Sequence, residues 1–256
     1  MKFRLVNILI LIFLVSFAMY RAIYGLTLWP ALVLAVFYPV FLVTVSANIR
    51  WNFFIKGYHH QPDHPKKEIC LTFDDGPTSF TPEILDLLDR YDAKACFFCI
   101  GEQMEKHPDL VLDIINRGHI IGNHTFSHTR KMGFLSSKRI VQEIEACDVM
   151  AYEITGLHLN FFRPPFGIIN PRTKKALYKT KHCVIGWNLR TYDAVINNKT
   201  AILNRVERKL KQGDVILLHD NKQQTIAILE QLLISLKSRN YRAVRPDQLF
   251  HINAYT

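Results

Sequence analysis

Paired cysteines are what this chain most plainly lacks. The five present (Cys70, Cys96, Cys99, Cys147 and Cys183) are odd in number and follow no framework spacing, which excludes a small disulfide-stapled scaffold. Cys96 and Cys99 form a CxxC, but they fall in the apolar, strand-like run Ala95–Ile100. Residues three apart on a strand point to opposite faces, so buried free thiols are expected rather than a redox pair or a zinc knuckle. This usage leans towards a reducing compartment. Internal repeats and low-complexity tracts are also missing, which argues against solenoid and disordered architectures. A formal net charge of +10 comes without aromatic–basic interleaving or a reader motif, so no nucleic-acid partner is expected. Anionic lipid headgroups or an anionic polymer suit the charge better.

Charge itself is absent from residues 22–49, and residues 5–20 are almost wholly apolar. A membrane-spanning helix needs about 20 apolar residues; the second segment satisfies this and the first is marginal. Trp29, Tyr38 and Trp51 suit an interfacial belt. Three readings compete: a two-helix membrane hairpin, a secretory signal followed by one anchor, and a buried helix pair. The first, with membrane lipids around the helices, makes the protein multi-pass in a bacterial inner membrane. Lys2, Arg4, Arg21, Arg50 and Lys56 are spread along the segment, so the side that the remainder faces is left open. The expected organisation is a membrane anchor over residues 1–50, a linker over 51–67 that carries His59, His60 and His64, and a catalytic domain over 68–250.

From Lys66 onward, short apolar runs alternate with amphipathic patterns. Strands are predicted at Ile69–Phe73, Ala95–Ile100, His119–Gly122, Leu159–Phe162, His182–Trp187, Val215–Leu218 and Tyr241–Val244. Helices are predicted at Thr81–Tyr91, Pro108–Arg117, Ser137–Thr155, Pro171–Lys179, Thr200–Lys211 and Thr225–Arg239, with Thr81 as an N-cap before Pro82. Such alternation implies parallel strands covered by helices, an α/β fold closing as a barrel or staying an open sheet. Its chemistry belongs at the C-terminal ends of the strands.

Polar residues do follow the strands. Asp74 and Asp75 end the first, and adjacent carboxylates both ionise only beside something positive. His124 and His128 follow the third; four apart in a helical turn, they would face one ion. With Asp75 they make two imidazoles and one carboxylate, a set that leaves positions open on a divalent metal. Arg163 opens a rigid Pro164-Pro165 turn after the fourth strand, Trp187 to Asp193 follow the fifth, and His219 stands at the mouth of the sixth, placed for general-acid work. No Ser or Cys nucleophile is in view.

Thr72–Pro77, His124–His128, Arg163–Gly167 and Leu217–His219 together resemble the motifs of the polysaccharide deacetylases of the NodB-homology type, carbohydrate esterase family four. The resemblance covers roughly residues 66–245. It implies a deformed (β/α) barrel and hydrolysis of the N-acetyl amide of an amino sugar, in a cell-envelope glycan such as peptidoglycan or in a lipid-linked amino sugar. It implies that Asp75, His124 and His128 hold one divalent metal, zinc first, with cobalt, nickel or manganese as alternatives. Asp74 is then the general base steered by Arg163, and His219 the acid. Leu217 is implied as a wall of the acetyl pocket, the Phe166 amide as an oxyanion donor, and Trp187 as part of the substrate groove. The chain departs from the family where two acidic residues and a tryptophan are usual: the corresponding places are Arg190, Asp193 and Ala194. Asp193 is expected to tune His219 and Arg190 to meet an anionic group on the substrate. Phe166 stands where tyrosine is frequent. An inactive carbohydrate-binding membrane protein is the contrasting possibility, against which the full acid–base set argues.

Overall fold

A computed structural model describes residues 2–196 and 198–256. Nine parallel strands build one curled sheet: β1 (Gly57–Tyr58), β2 (Glu68–Asp74), β3 (Ala95–Cys99), β4 (Ile120–Asn123), β5 (Phe161–Phe162), β6 (Cys183–Ile185), β7 (Leu189–Arg190), β8 (Val215–His219) and β9 (Arg242–Ala243). The order is β1-β6-β5-β4-β3-β2-β8-β7, with β9 paired to β2. Its two ends do not pair as strands among the described residues; an isolated bridge between His60 and Asp214 spans the gap. The result is the deformed, incompletely closed (β/α) barrel expected from the motifs.

The alternation of β2 explains the layering. Ile69, Leu71 and Phe73 point outward and pack with Ile84, Leu88, Leu229 and Leu233 of the helical layer. Cys70, Thr72 and Asp74 occupy the other face, where Cys70 joins Val215, Val244 and Leu249. The helices that supply the outer layer are α3 (Thr81–Arg90), α4 (Gly101–Lys106), α5 (Pro108–Asn116), α6 (Ser137–Thr155), α7 (Pro171–Thr180), α8 (Lys199–Lys209), α9 (Gln223–Ser238) and α10 (Pro246–Phe250). In α6, Ile140, Ile144, Cys147 and Ala151 form the buried stripe that the helical spacing predicts. The thiols are all free, four of them buried and Cys183 half-buried, and Cys96 and Cys99 enter different core clusters.

Several local expectations are corrected. Thr81 is not an N-cap: Phe80 occupies that position, and the Thr81 hydroxyl accepts from the Thr78 amide and donates to Asp220 Oδ2. Residues 51–67 are not simply a solvated linker. Phe53 and Phe54 are buried, Gly57–Tyr58 pairs with Val184–Ile185, and His64 Nε2 lies 2.8 Å from Glu68 Oε2. Strand β7 and the short helices α4 and α10 carry too few residues for a periodic signal.

Two helices, α1 (Lys2–Tyr24) and α2 (Trp29–Ser46), precede the barrel; both are long and apolar enough to cross a membrane. They form a hairpin in which the Tyr38 hydroxyl donates to Asn7 Oδ1. The end opposite the turn rests on the barrel: Phe3 contacts the Phe53 and Phe54 rings, and the Ile169 amide donates to Ser46 O at 2.9 Å.

The fully buried Leu71 sits at the centre of β2 between two paired strands. Leu71→Ala is expected to lower the stability of the full chain in detergent by about 2–5 kcal/mol, read from its denaturant midpoint.

Candidate active site

The strand register gathers the polar residues at one end of the barrel. Asp74 lies opposite His219, and Thr72 opposite Leu217, across the β2–β8 ladder. Because side chains alternate, Asp74, Thr72, His219 and Leu217 share the inner face. Asp75 leaves the strand with a φ of 78°, and its carboxylate and that of Asp74 both come within 3.8 Å of His124 Nε2. Gly76 is required next, since a Cβ there would lie on the Asp220 carboxylate.

His124 and His128 do converge, but not through a helical turn. The loop after β4 has Thr125 and His128 at positive φ. It is held by Asn123 Oδ1 accepting from the Thr125 amide and by Thr125 Oγ1 accepting from the His128 amide. This fold brings the imidazole centroids to 4.8 Å. Asp75 Oδ1 lies 3.6 Å from His124 Nε2 and 3.4 Å from His128 Nε2, and one donor atom from each residue falls within 4.8 Å of the others. The donor chemistry fits a divalent cation. His124 Nδ1 is 2.8 Å from Arg163 O, a partner that accepts only an N–H, so Nε2 keeps its lone pair towards Asp75. Asn221 Nδ2 donates to Asp75 Oδ2 at 2.9 Å and leaves Oδ1 for the cluster. Burial raises the Asp75 pKa, but the adjacent His124, with His219 and His128 further off, brings it down to about 2. Burial and the neighbouring His124 lower that of His128. Both shifts run in the direction that metal ligation favours.

Arg163 is fully buried and every part of its guanidinium is engaged. Nη1 donates to Asp74 Oδ1 at 2.7 Å and to Thr72 Oγ1 at 2.8 Å. Nε and Nη2 donate to the carbonyls of Ile185 and Gly186, and the plane stacks 4.1 Å from the Phe98 ring. The expected pairing with Asp74 is therefore formed. Asp74 Oδ2 lies 3.8 Å from His124 Nε2.

Asp193, also fully buried, clasps His219 from behind. Oδ1 is 2.9 Å from His219 Nδ1, and Oδ2 accepts from the His219 amide and the Thr225 hydroxyl. Burial lowers the His219 pKa, yet the bond and charge of Asp193 outweigh it and the pKa is raised. Conversely, burial raises the Asp193 pKa and the His219 contact overrides it downward.

Of the residues expected to meet substrate, Leu217 lies on the inner face two positions before His219. Phe166, half-exposed and at positive φ, sets its ring 5.0 Å from His128. Trp187 is half-buried against Gly167, whose φ is 70° and whose Cβ position the indole fills. Arg190 stands apart from the metal cluster and lies over the Tyr192 ring. Sequence reasoning missed Asn221 and Asp220. Burial pushes the Asp220 carboxyl up to about 7. Both directly follow His219, which was the available signal.

A parallel barrel with an Asp/His/His cluster, an aspartate held by arginine and a histidine held by aspartate at its strand ends defines a class of metal-dependent hydrolase sites. The chain belongs to the polysaccharide deacetylase family, carbohydrate esterase family four. The family description Polysaccharide deacetylase matches residues 61–185. A peptidoglycan-N-acetylglucosamine deacetylase of Bacillus cereus is 36% identical over 192 residues, 72% of this chain and 88% of that protein. A peptidoglycan-N-acetylmuramic acid deacetylase of Bacillus subtilis is 31% identical over 73% of this chain and 39% of its own length. The crystal structure of a peptidoglycan N-acetylglucosamine deacetylase in complex with 4-naphthalen-1-yl-N-hydroxybenzamide superposes with a TM-score of 0.72. It is 31% identical and covers 78% of this chain and 95% of that one. Deacetylases of this family are metal-dependent.

Removing the carboxylate charge in Asp193→Asn takes away the strongest opposition to burial at His219 and leaves only the charges of Asp74 and Asp75. The imidazole pKa is expected to fall, so the ring loses its proton at lower pH than in the wild type. Titration of the His219 ring resonances by NMR checks the direction.

Proposed function

We propose that the chain hydrolyses the N-acetyl amide of an amino sugar in a cell-envelope glycan such as peptidoglycan. The carrying observation is the convergence of Asp75, His124 and His128 donor atoms within 4.8 Å, beside a buried Asp74–Arg163 pair and a buried His219–Asp193 pair. These three ligands would hold one divalent ion. Zinc is favoured by the mixed imidazole–carboxylate set, with cobalt, nickel or manganese as alternatives. When bound, the ion supplies Lewis acidity and a lowered water pKa.

The side chains divide the proton work. Asp74 accepts a proton from the water that attacks the amide carbon; Arg163 pins Oδ1 and leaves Oδ2 for the task. His219 delivers a proton to the nitrogen as the C–N bond breaks, releasing acetate and a free amine. Asp193 holds Nδ1, so the other ring nitrogen is the one that donates, and the Asp193 carboxylate raises the pKa in the direction that favours the proton-bearing form. The Phe166 amide assists the oxyanion, while Leu217 and Trp187 shape the acetyl pocket and groove.

The N-terminal hairpin is proposed as a multi-pass anchor in the bacterial inner membrane, over residues 1–50. The Lys2 ammonium donates to Trp51 O at 3.0 Å, so the N-terminus and the catalytic domain (residues 68–250) share one side. A lipid-linked amino sugar is the second substrate reading. It is favoured by the Ile169–Ser46 hydrogen bond, which seats the loop after Phe166 on the end of α2.

Acetate release from N-acetylated peptidoglycan fragments and chitooligosaccharides tests the reading. Asp74→Asn is expected to lose roughly 10²–10⁴-fold in kcat while still binding glycan, and chelation should abolish turnover until zinc is restored. Full activity after exhaustive chelation, or in Asp74→Asn, would refute it.

A further inference from the structure

The motifs account for the barrel mouth but not for a cleft of about 230 Å³ beside it, between the residues that follow α2 and the active-site rim. A water occupies about 30 Å³ of liquid, so the cleft has room for several polar groups. Three guanidiniums line it: Arg50, four residues past the end of α2, Arg190 on β7, and Arg205 on α8. Phe166, whose ring also touches His128, forms the wall shared with the active site.

The arginines are held but not neutralised. Arg190 and Arg205 lie over the Tyr192 ring, 5.0 and 4.6 Å from its centroid. Arg205 Nε donates to Arg190 O, which ties the two side chains' supports together. Arg50 Nε reaches Asn48 Oδ1. None of the three joins an ion pair with a carboxylate among the described residues, unlike Arg90, Arg117, Arg163, Arg242 and Arg245. Arg190 Nε is buried with no hydrogen-bond partner. Like charges brought together in a partly desolvated cleft repel, and a buried donor left unmade is costly. An anion relieves both, and guanidinium forks match phosphate oxygens.

Location narrows the ligand. The cleft opens where α2 ends, which is the interface level if the hairpin crosses a membrane. We propose that Arg50, Arg190 and Arg205 form a binding site for a phosphate or diphosphate carried on a lipid, placing that group one wall away from the metal cluster. The proposal builds on the deacetylase reading and specifies its substrate class as a phosphate-linked, lipid-borne amino sugar, with the phosphate in the cleft and the acetamido group at Asp74 and His219. The same phosphate chemistry is offered by the headgroup of an anionic phospholipid.

Binding is measured without turnover, on the full chain in phosphatidylcholine nanodiscs, with farnesyl diphosphate as probe and farnesol as its uncharged counterpart. Farnesyl diphosphate is expected to bind, more weakly as salt rises, and farnesol not to compete. The Arg190→Gln/Arg205→Gln double variant should weaken the probe by about ten- to a hundredfold, the range for losing hydrogen bonds to a charged group. Arg50→Gln, outside the barrel, should weaken it in the same direction without a change in melting temperature. Displacement of the probe by added phosphatidylglycerol assigns the site to a phospholipid headgroup. Displacement only by a prenyl-diphosphate-linked N-acetylhexosamine, with a larger loss of kcat/KM in the double variant on that compound than on a neutral chitooligosaccharide, assigns it to the substrate. Equal binding of farnesol and farnesyl diphosphate, or unchanged probe affinity in both variants, overturns the proposal. Asp74→Asn separates the two claims, since it removes acetate release and leaves probe binding intact.

Discussion

Arg163 is the side chain on which the arrangement of this barrel rests. A fully buried guanidinium carries a desolvation cost that only complete hydrogen bonding offsets. Here the offset comes from three strands at once: Thr72 and Asp74 of β2, Ile185 of β6 with the following Gly186, and Phe98 of β3 beneath the plane. Its own backbone completes the tie. The amide donates to Asn123 O at the end of β4, and the carbonyl faces His124 Nδ1. One residue therefore positions the Asp74 carboxylate, orients the His124 ring and ties together the strands that carry them.

The neighbouring carboxylates Asp74 and Asp75 illustrate why that cation is needed. In water two adjacent aspartates ionise with little penalty; at a buried strand end each needs its own positive partner. Asp74 pairs with Arg163 and Asp75 with His128, while both approach His124 Nε2. The same logic runs at His219, where a buried carboxylate reverses the direction in which burial alone would move the imidazole. Asp74 and His219 are held opposite each other on adjacent strands by one ladder.

The segment between the hairpin and the barrel links the two apolar helices to the site. Phe53 and Phe54 are buried against the domain and Gly57–Tyr58 extends its sheet, so the connection is a packed joint. Stiff contacts of this kind orient the rim with respect to α2, which a free tether would not do. The cleft lined by Arg50, Arg190 and Arg205 lies between the residues that lead into that joint and the active-site rim.

Much of this was legible in the residues themselves. Periodicity located six helices and seven strands to within a few positions, because an inward-facing stripe repeats at fixed intervals whatever the partners are. Asp74, Asp75, His124, His128, Arg163 and His219 stood out because a parallel α/β fold delivers strand-end residues to one rim. Short-range shape was less accessible. The HxxxH spacing suggested a helical turn, whereas Asn123 and Thr125 hold a loop with two positive-φ residues. Thr81 looked like a cap, but its hydroxyl serves Asp220, 139 positions away in sequence. What the linear order determined was the identity of the groups and the rim they share. Tertiary structure alone decided which partner each group meets, because hydrogen bonds and charges act across a few ångströms of space and take no account of separation along the chain.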